Sequence, residues 1–269
     1  MARLEIQHTT RLSYREPIAE TYMEMRVRPL DGVGQKCSAF SLDVRPASDV
    51  RSYRDGFGNH VLYFNHLAEH ERVEVRARAT VETGVDGADP EWQVFPEDFL
   101  AFRPPVLDLP GVRRIAAKIA SNVAPEEPEA MLEALTAHIN TNFQYRREIT
   151  SVFTQVDEVL RLRSGVCQDF AHLFVAVSRA LAIPCRYVSG YIHSEGGRGA
   201  GATHAWAEAW VPGKGWLGFD PTNPMRASEH HVRVATGRDY RDVPPTRGIY
   251  LGRAAESMEV TVEMKIANR

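Results

Sequence analysis

The hydrophobic residues of this chain change their period along its length, and that change narrows the folds open to it. In the first part, Met23, Met25 and Val27, then Phe40, Leu42 and Val44, then Val73, Val75, Ala77, Ala79 and Val81 recur at every second residue, the spacing of strands with one buried face. DGFGN at 55–59 lies between SYR and HVLYF and supplies the glycines that a tight hairpin connection needs. An antiparallel, β-sandwich-like domain over 1–85 follows. Five prolines then fall between 86 and 110 (Pro90, Pro96, Pro104, Pro105, Pro110); each removes a backbone donor and disfavours helix before it, so 86–110 reads as a Pro-rich linker.

Beyond the prolines the period lengthens. Val112, Ile115, Ala116 and Ile119 share one helical face, as do Met131, Leu132, Leu135, Ile139 and Phe143. A short helix over 156–162 ends at Ser164-Gly165, and another begins near Cys167, carries Phe170, Leu173, Phe174, Val177 and Leu181, and is closed by Pro184. Strand signals return in CRYVSGYIH, in HAWAEAWV and GWLGFD joined by Pro212-Gly213-Lys214-Gly215, and in the alternation of Val260, Val262, Met264 and Ile266. Helices followed by an antiparallel sheet make 111–269 an α+β unit. A chain of 269 residues, 43% hydrophobic, can bury a core of this kind.

Lys plus Arg number 32 and Asp plus Glu 35, a net charge of −3. That balance argues against a dedicated binder of nucleic acid or of anionic membranes. The first residues, MARLEIQHTTRLSYREP, lack the apolar stretch of a secretory signal, and no apolar run approaches the roughly 20 residues needed to cross a bilayer. A cytoplasmic location is the expectation. Cys37, Cys167 and Cys185 are odd in number and far apart, which fits free thiols in a reducing compartment and not a disulfide framework. No CxxC pair offers structural zinc.

The chemistry concentrates in SGVCQDFAHL at 164–173. Cys167 stands at the N-terminal end of a helix and shares the apolar face of Phe170 and Phe174. There the unpaired amides favour a thiolate and can hold an oxyanion. A thiolate nucleophile needs a base, and His204 opens the strand HAWAEAWV. Alternation puts His204, Trp206, Glu208 and Trp210 on one face and Ala205, Ala207 and Ala209 on the other, small enough to lie against a helix. Asp220 ends the next strand. A turn centred between 213 and 214 sets it opposite Ala207, so a bulge or stagger is needed to bring its carboxylate to His204.

Other residues read as structural. Asp169 complements the dipole of the helix start and caps its amides. His172 falls on a different face from Cys167, as a surface or supporting residue. Cys37 and Cys185 have no paired His. His230-His231 lack a further ligand at metal spacing, and an exposed loop is expected there. GGRGAG at 196–201 lacks the Lys-Ser/Thr of a phosphate loop and suits a flap bordering a cleft.

GVCQDFAHL, THAWAEAW and GWLGFDPTN, in that order, resemble the three core blocks of the transglutaminase-like superfamily, closest to its bacterial members. DGFGN and the FQY at 143–145 are similar to the same family, so the resemblance covers most of the chain. It implies a papain-like core preceded by a β-rich domain. It also implies a Cys-His-Asp triad of Cys167, His204 and Asp220, with Tyr145 and Gln168 as candidates for the oxyanion site or the cleft. The bacterial members are described as transglutaminase-like enzymes or provisional cysteine peptidases. The implied activity is therefore acyl transfer from a peptide or glutamine amide of a protein substrate, to water in a peptidase or amidase and to an amine in a transglutaminase. Hydrolysis is preferred because the calcium loops of the animal enzymes have no counterpart here; no cofactor or metal is implied. The third reading is a non-catalytic module that holds a peptide along a sheet edge.

Overall fold

The computed structural model describes residues 1–86, 95–124, 126–193 and 201–267. The N-terminal region forms β1 (Ala2–Ile18), β2 (Glu20–Met25), β3 (Gly34–Arg45), β4 (Arg51–Arg54), β5 (His60–His66) and β6 (His70–Val85). Helices α1 (Pro110–Ala120) and α2 (Pro128–Asn142) follow, then β7 (Gln144–Tyr145), α3 (Val156–Leu162), β8 (Ser164–Gly165) and α4 (Cys167–Ala180). The chain continues through β9 (Cys185–Ile192), β10 (His204–Val211), β11 (Gly215–Asp220), β12 (Met225–Arg226), β13 (His231–Gly237), β14 (Thr246–Leu251) and β15 (Glu256–Ile266). The fold is α+β, as the change of period implied.

Two four-stranded antiparallel sheets, ordered β15-β1-β6-β3 and β14-β2-β5-β4, enclose a core of Leu12, Met23, Met25, Phe64, Val73 and Val75. One edge strand of each sheet, β15 and β14, comes from the far end of the chain. The alternation of Val260 to Ile266, expected to close the second unit, instead pairs β15 with β1 from Leu4↔Ile266 to Tyr14↔Glu256, and β14 pairs with β2. Residues 111–269 therefore do not form a self-contained body. Period-two alternation marks a strand but carries no information about its neighbour.

The Pro-rich segment also departs from a free linker. Where it is described, Phe99 is buried against Trp216 and Phe57, Val106 joins the helical core, and Arg103 pairs with Asp239 and Asp242. Pro90 lies outside the described residues.

The second unit is built around α4, whose residues 168–179 are all buried, the pattern of a helix enclosed on every side. α1, α2 and α3 cover it on one flank, and the five-stranded sheet β12-β11-β10-β9-β13 on the other. Ala207 and Ala209 belong to the α4 core, and Ala205 packs with Ala171. The opposite face of this sheet meets the N-terminal sheet through Leu4, Ile6, Val81, Tyr191, Val232 and Val234.

At the free edge of β13, two side-chain amides of the N-terminal domain take the place of a neighbouring strand. Gln35 accepts from Arg233 N–H at 2.8 Å and donates to Arg233 C=O at 2.9 Å. Asn59, the last residue of DGFGN, accepts from Thr236 N–H at 2.8 Å and donates to its C=O at 2.9 Å. Each amide thus bonds one donor and one acceptor of this edge, the Arg233 carbonyl also accepting from Leu30 N–H at 3.0 Å. Replacing Asn59 by Ala should destabilise the protein by about 2–4 kcal/mol, because a buried peptide group loses both partners. Urea unfolding measures it, and a change under about 0.5 kcal/mol would contradict the role given to this clamp.

Candidate active site

The helix start that carries Cys167 is set by local features. α3 ends with Arg163 in the left-handed region (φ 49°), and Ser164–Gly165 then form β8, parallel to β7 with Tyr145 opposite Gly165. Val166 is the extended N-cap of α4. The Asp169 carboxylate reaches back to accept from Val166 N–H at 2.7 Å and from the Thr150 hydroxyl at 2.7 Å, the acidic half of a capping box. A Cβ at Gly165 would lie 2.6 Å from Asp169 Oδ2, so only glycine admits this turn. Burial raises the pKa of Asp169 against those two donors. Its place is structural, as expected.

Cys167 is half-buried at the first position of α4, packed with Ala171, Tyr187 and Ala205. His204 is 1% exposed. Its Nε2 lies 2.8 Å from Asp220 Oδ2, and the Cys167 sulfur is near enough to act on the charge of the ring. Nε2 is taken by the carboxylate, and Nδ1 makes no hydrogen bond among the described residues, so it is the ring nitrogen left open to the sulfur. Burial lowers the pKa of His204, but the Asp220 carboxylate and the Cys167 sulfur outweigh it and the net direction is upward. Burial likewise raises that of Asp220, while donation from His204 and His231 carries it well below the usual carboxylate range.

The approach of Asp220 to His204 has a simple origin. Val211 pairs with Gly215 and Ala207 with Phe219, so three residues, 212–214, form the turn and its centre is Gly213. The expected centre was half a residue further on. Directly opposed residues share a sheet face, so pairing with Ala207 would have aimed Asp220 at α4. The observed register gives that place to Phe219, which stacks on Phe174, and turns Asp220 toward the side of Trp206 and His204. No bulge is needed: an odd-length turn, with Gly213 and Gly215 both at φ 78°, inverts the parity.

Asp220 is completely buried and collects donors at both oxygens. Oδ1 accepts from Thr222 N–H at 2.9 Å and Asn223 N–H at 3.1 Å, the Asx-turn that an Asp before Pro-Thr-Asn favours. Oδ2 accepts from the Asn223 side-chain amide at 3.1 Å and lies 3.2 Å from Nε2 of His231. His231 corrects the expectation of an exposed loop: it is 5% exposed and opens β13. The alternation HVRVATG was the signal available for it. His204, Asp220 and His231 offer ligand-type atoms within 4.8 Å of one another. Both imidazoles, however, turn Nε2 to one carboxylate oxygen, an arrangement of hydrogen bonds.

Of the other candidates, Tyr145 flanks the turn before Cys167, with its ring 6.4 Å from Phe170. Gln168 is 9% exposed in the first turn of α4. His172 is not at the surface. It is buried, its Nε2 accepts from Tyr240 N–H at 3.1 Å, and burial lowers its pKa to about 3. Cys185 is buried in the core, and burial pushes its thiol up to about 12; burial raises that of Cys37 also. The glycine flap, apart from Gly201, lies outside the described residues. No described helix is long and apolar enough to cross a membrane.

Comparison with known proteins gives these features a family. Residues 113–221 match the profile of the transglutaminase-like superfamily core, and residues 4–82 that of the bacterial transglutaminase-like N-terminal region. An uncharacterized protein of Mycobacterium leprae is 32% identical over 280 residues, covering 98% of this chain and 99% of that one. A protein-glutamine gamma-glutamyltransferase of Pseudomonas aeruginosa is 33% identical over 126 residues, covering 42% of this chain and 18% of that one. A crystal structure from Cytophaga hutchinsonii, provisionally described as a cysteine protease, superposes with a TM-score of 0.80 at 23% identity, covering 100% of this chain and 91% of that one, and shares the fold. With both profiles in their expected order and a relative matched end to end, the chain belongs to the transglutaminase-like superfamily, in its bacterial branch with the β-rich N-terminal region.

Proposed function

We propose that the protein is a thiol-dependent acyl-transfer enzyme in which Cys167 is the nucleophile, His204 the general acid and base, and Asp220 the group that orients and charges His204. The observation that supports this reading is the buried His204–Asp220 pair, with Cys167 among the groups that raise the pKa of the imidazole. Cys167 Sγ attacks the carbonyl carbon of an amide while its proton passes to His204. The oxyanion forms beside the first turn of α4, whose N–H groups have no intrahelical acceptor; Gln168 and Tyr145 border that place. His204 then protonates the departing amine, leaving a thioester. Water activated by His204 hydrolyses the thioester, releases the acid and restores the thiol. Hydrolysis of a peptide or amide is the preferred outcome, in keeping with the absence of recognisable calcium loops from the sequence. Transfer of the acyl group to an amine is the alternative, favoured by the segment shared with the Pseudomonas gamma-glutamyltransferase.

Four measurements test the proposal. Iodoacetamide near pH 6 should label Cys167 faster than Cys37 and Cys185, and His204→Ala should abolish the difference; equal, slow labelling of all three would favour a peptide-binding module. Incubation with a glutamine-containing peptide and a labelled amine, read by mass spectrometry, should give cleavage or deamidation; incorporation of the amine would assign a transglutaminase instead. Asp220→Asn should lower turnover by up to about 10⁴-fold. Its effect on stability should depend on pH in a defined direction. The folded-state pKa of Asp220 is depressed, so its ionisation contributes stability above about pH 3.9, lost as pH falls through the folded value. In urea unfolding, the gap between wild type and Asp220→Asn should therefore narrow below about pH 4.

A further inference from the structure

We propose that His231 is a positioning residue of this site: its Nε2–H donates to Asp220 Oδ2, so that this oxygen is shared between two imidazoles. This rests on the reading of Cys167, His204 and Asp220 given above.

The tautomer follows from the neighbours of His231. Ser228 N–H donates to Nδ1 at 3.1 Å, so Nδ1 carries a lone pair and the proton sits on Nε2, 3.2 Å from Asp220 Oδ2. The side chain is 2% exposed, and its ring packs edge-on against Trp206 at 5.2 Å, which allows it little room to turn. The backbone that carries it belongs to the strand clamped by Gln35 and Asn59, and Gln35 holds the peptide of Arg233, two residues away. The ring is therefore fixed by its own hydrogen bonds, by an indole and by the N-terminal domain.

The consequence falls on the carboxylate. Asp220 Oδ2 faces His204 at 2.8 Å, the Asn223 amide at 3.1 Å and His231 at 3.2 Å. With His231 in place, Oδ2 has two further donors besides His204, which hold it in place against Nε2 of that ring. Asn223 and the two Oδ1 bonds come from the turn that follows Asp220. Besides His204 on β10, His231 brings a donor from β13, and so ties the orientation of the carboxylate to the edge of the sheet.

The test uses the full chain and reads the alkylation rate of Cys167, which needs no substrate. In His231→Leu the donor is gone, and labelling of Cys167 by iodoacetamide should slow about tenfold, the factor that corresponds to one hydrogen bond to an ionised group. His231→Gln, whose amide can donate from the ε position, should restore the rate to within about threefold of wild type. Thermal melts identify variants that fail to fold. Long-range ¹H–¹⁵N spectra of the wild-type histidine rings keep the proposal testable in that case: a proton on Nε2 of His231 supports it, and a proton on Nδ1 overturns it. An unchanged rate in folded His231→Leu, or equal slowing in both folded variants, also overturns it. Failure of the underlying reading has a different signature, a wild-type Cys167 that labels no faster than Cys37 and Cys185.

Discussion

The second half of this protein is organised around one buried anion. Asp220 has no contact with solvent, and an uncompensated carboxylate in such a place would be strongly unfavourable. The chain meets that requirement with the amides of the following turn, an asparagine side chain and two histidines. These donors lie on β10, on β13 and in the segment after β11, so the need to satisfy one charge brings three separate parts of the sheet into a single arrangement. The imidazole that faces Cys167 is among those donors, which couples the proposed chemistry to the same requirement.

The other half of the arrangement is steric. α4 can bring Cys167 to the end of the sheet because β10 shows it only Ala205, Ala207 and Ala209, while the bulky members of the alternation, Trp206 and Glu208, turn away. Gly165 and Asp169 fix where the helix begins. The thiol is held by a close helix–strand contact and a capping interaction, neither of which involves His204 or Asp220. Rigid elements of this kind give a reactive group its precision.

Much of this was legible in the residues themselves. The four helices followed from apolar spacing and from Pro and Gly punctuation, because both are local properties. Cys167, His204 and Asp220 stood out by type, order and resemblance, and His204 and Asp220 share a buried hydrogen bond. What escaped was non-local. One residue of turn length decided which way Asp220 faces, and the pattern around PGKG was compatible with either parity. His231 was hidden because adjacent histidines in a polar stretch look exposed until a strand partner is known. The partners of β14 and β15 were hidden for the same reason: alternation describes a face, and pairing is chosen by the rest of the molecule. His172 was misplaced because a helix buried on all sides has no outer face to assign.

The pairing of the last strands with the first has a consequence for the order of assembly. As the polypeptide leaves the ribosome, β1 and β2 are made early, yet each keeps one bare edge until residues 246–266 have emerged. By then the helices and every residue of the proposed site are already outside. Closing the sandwich requires contacts between the most widely separated segments of the chain, the slowest kind to form. A nascent protein thus passes through a stage in which the groups of the proposed site exist but the scaffold beside them is unfinished, and residues 246–266 act as the clasp that ends it.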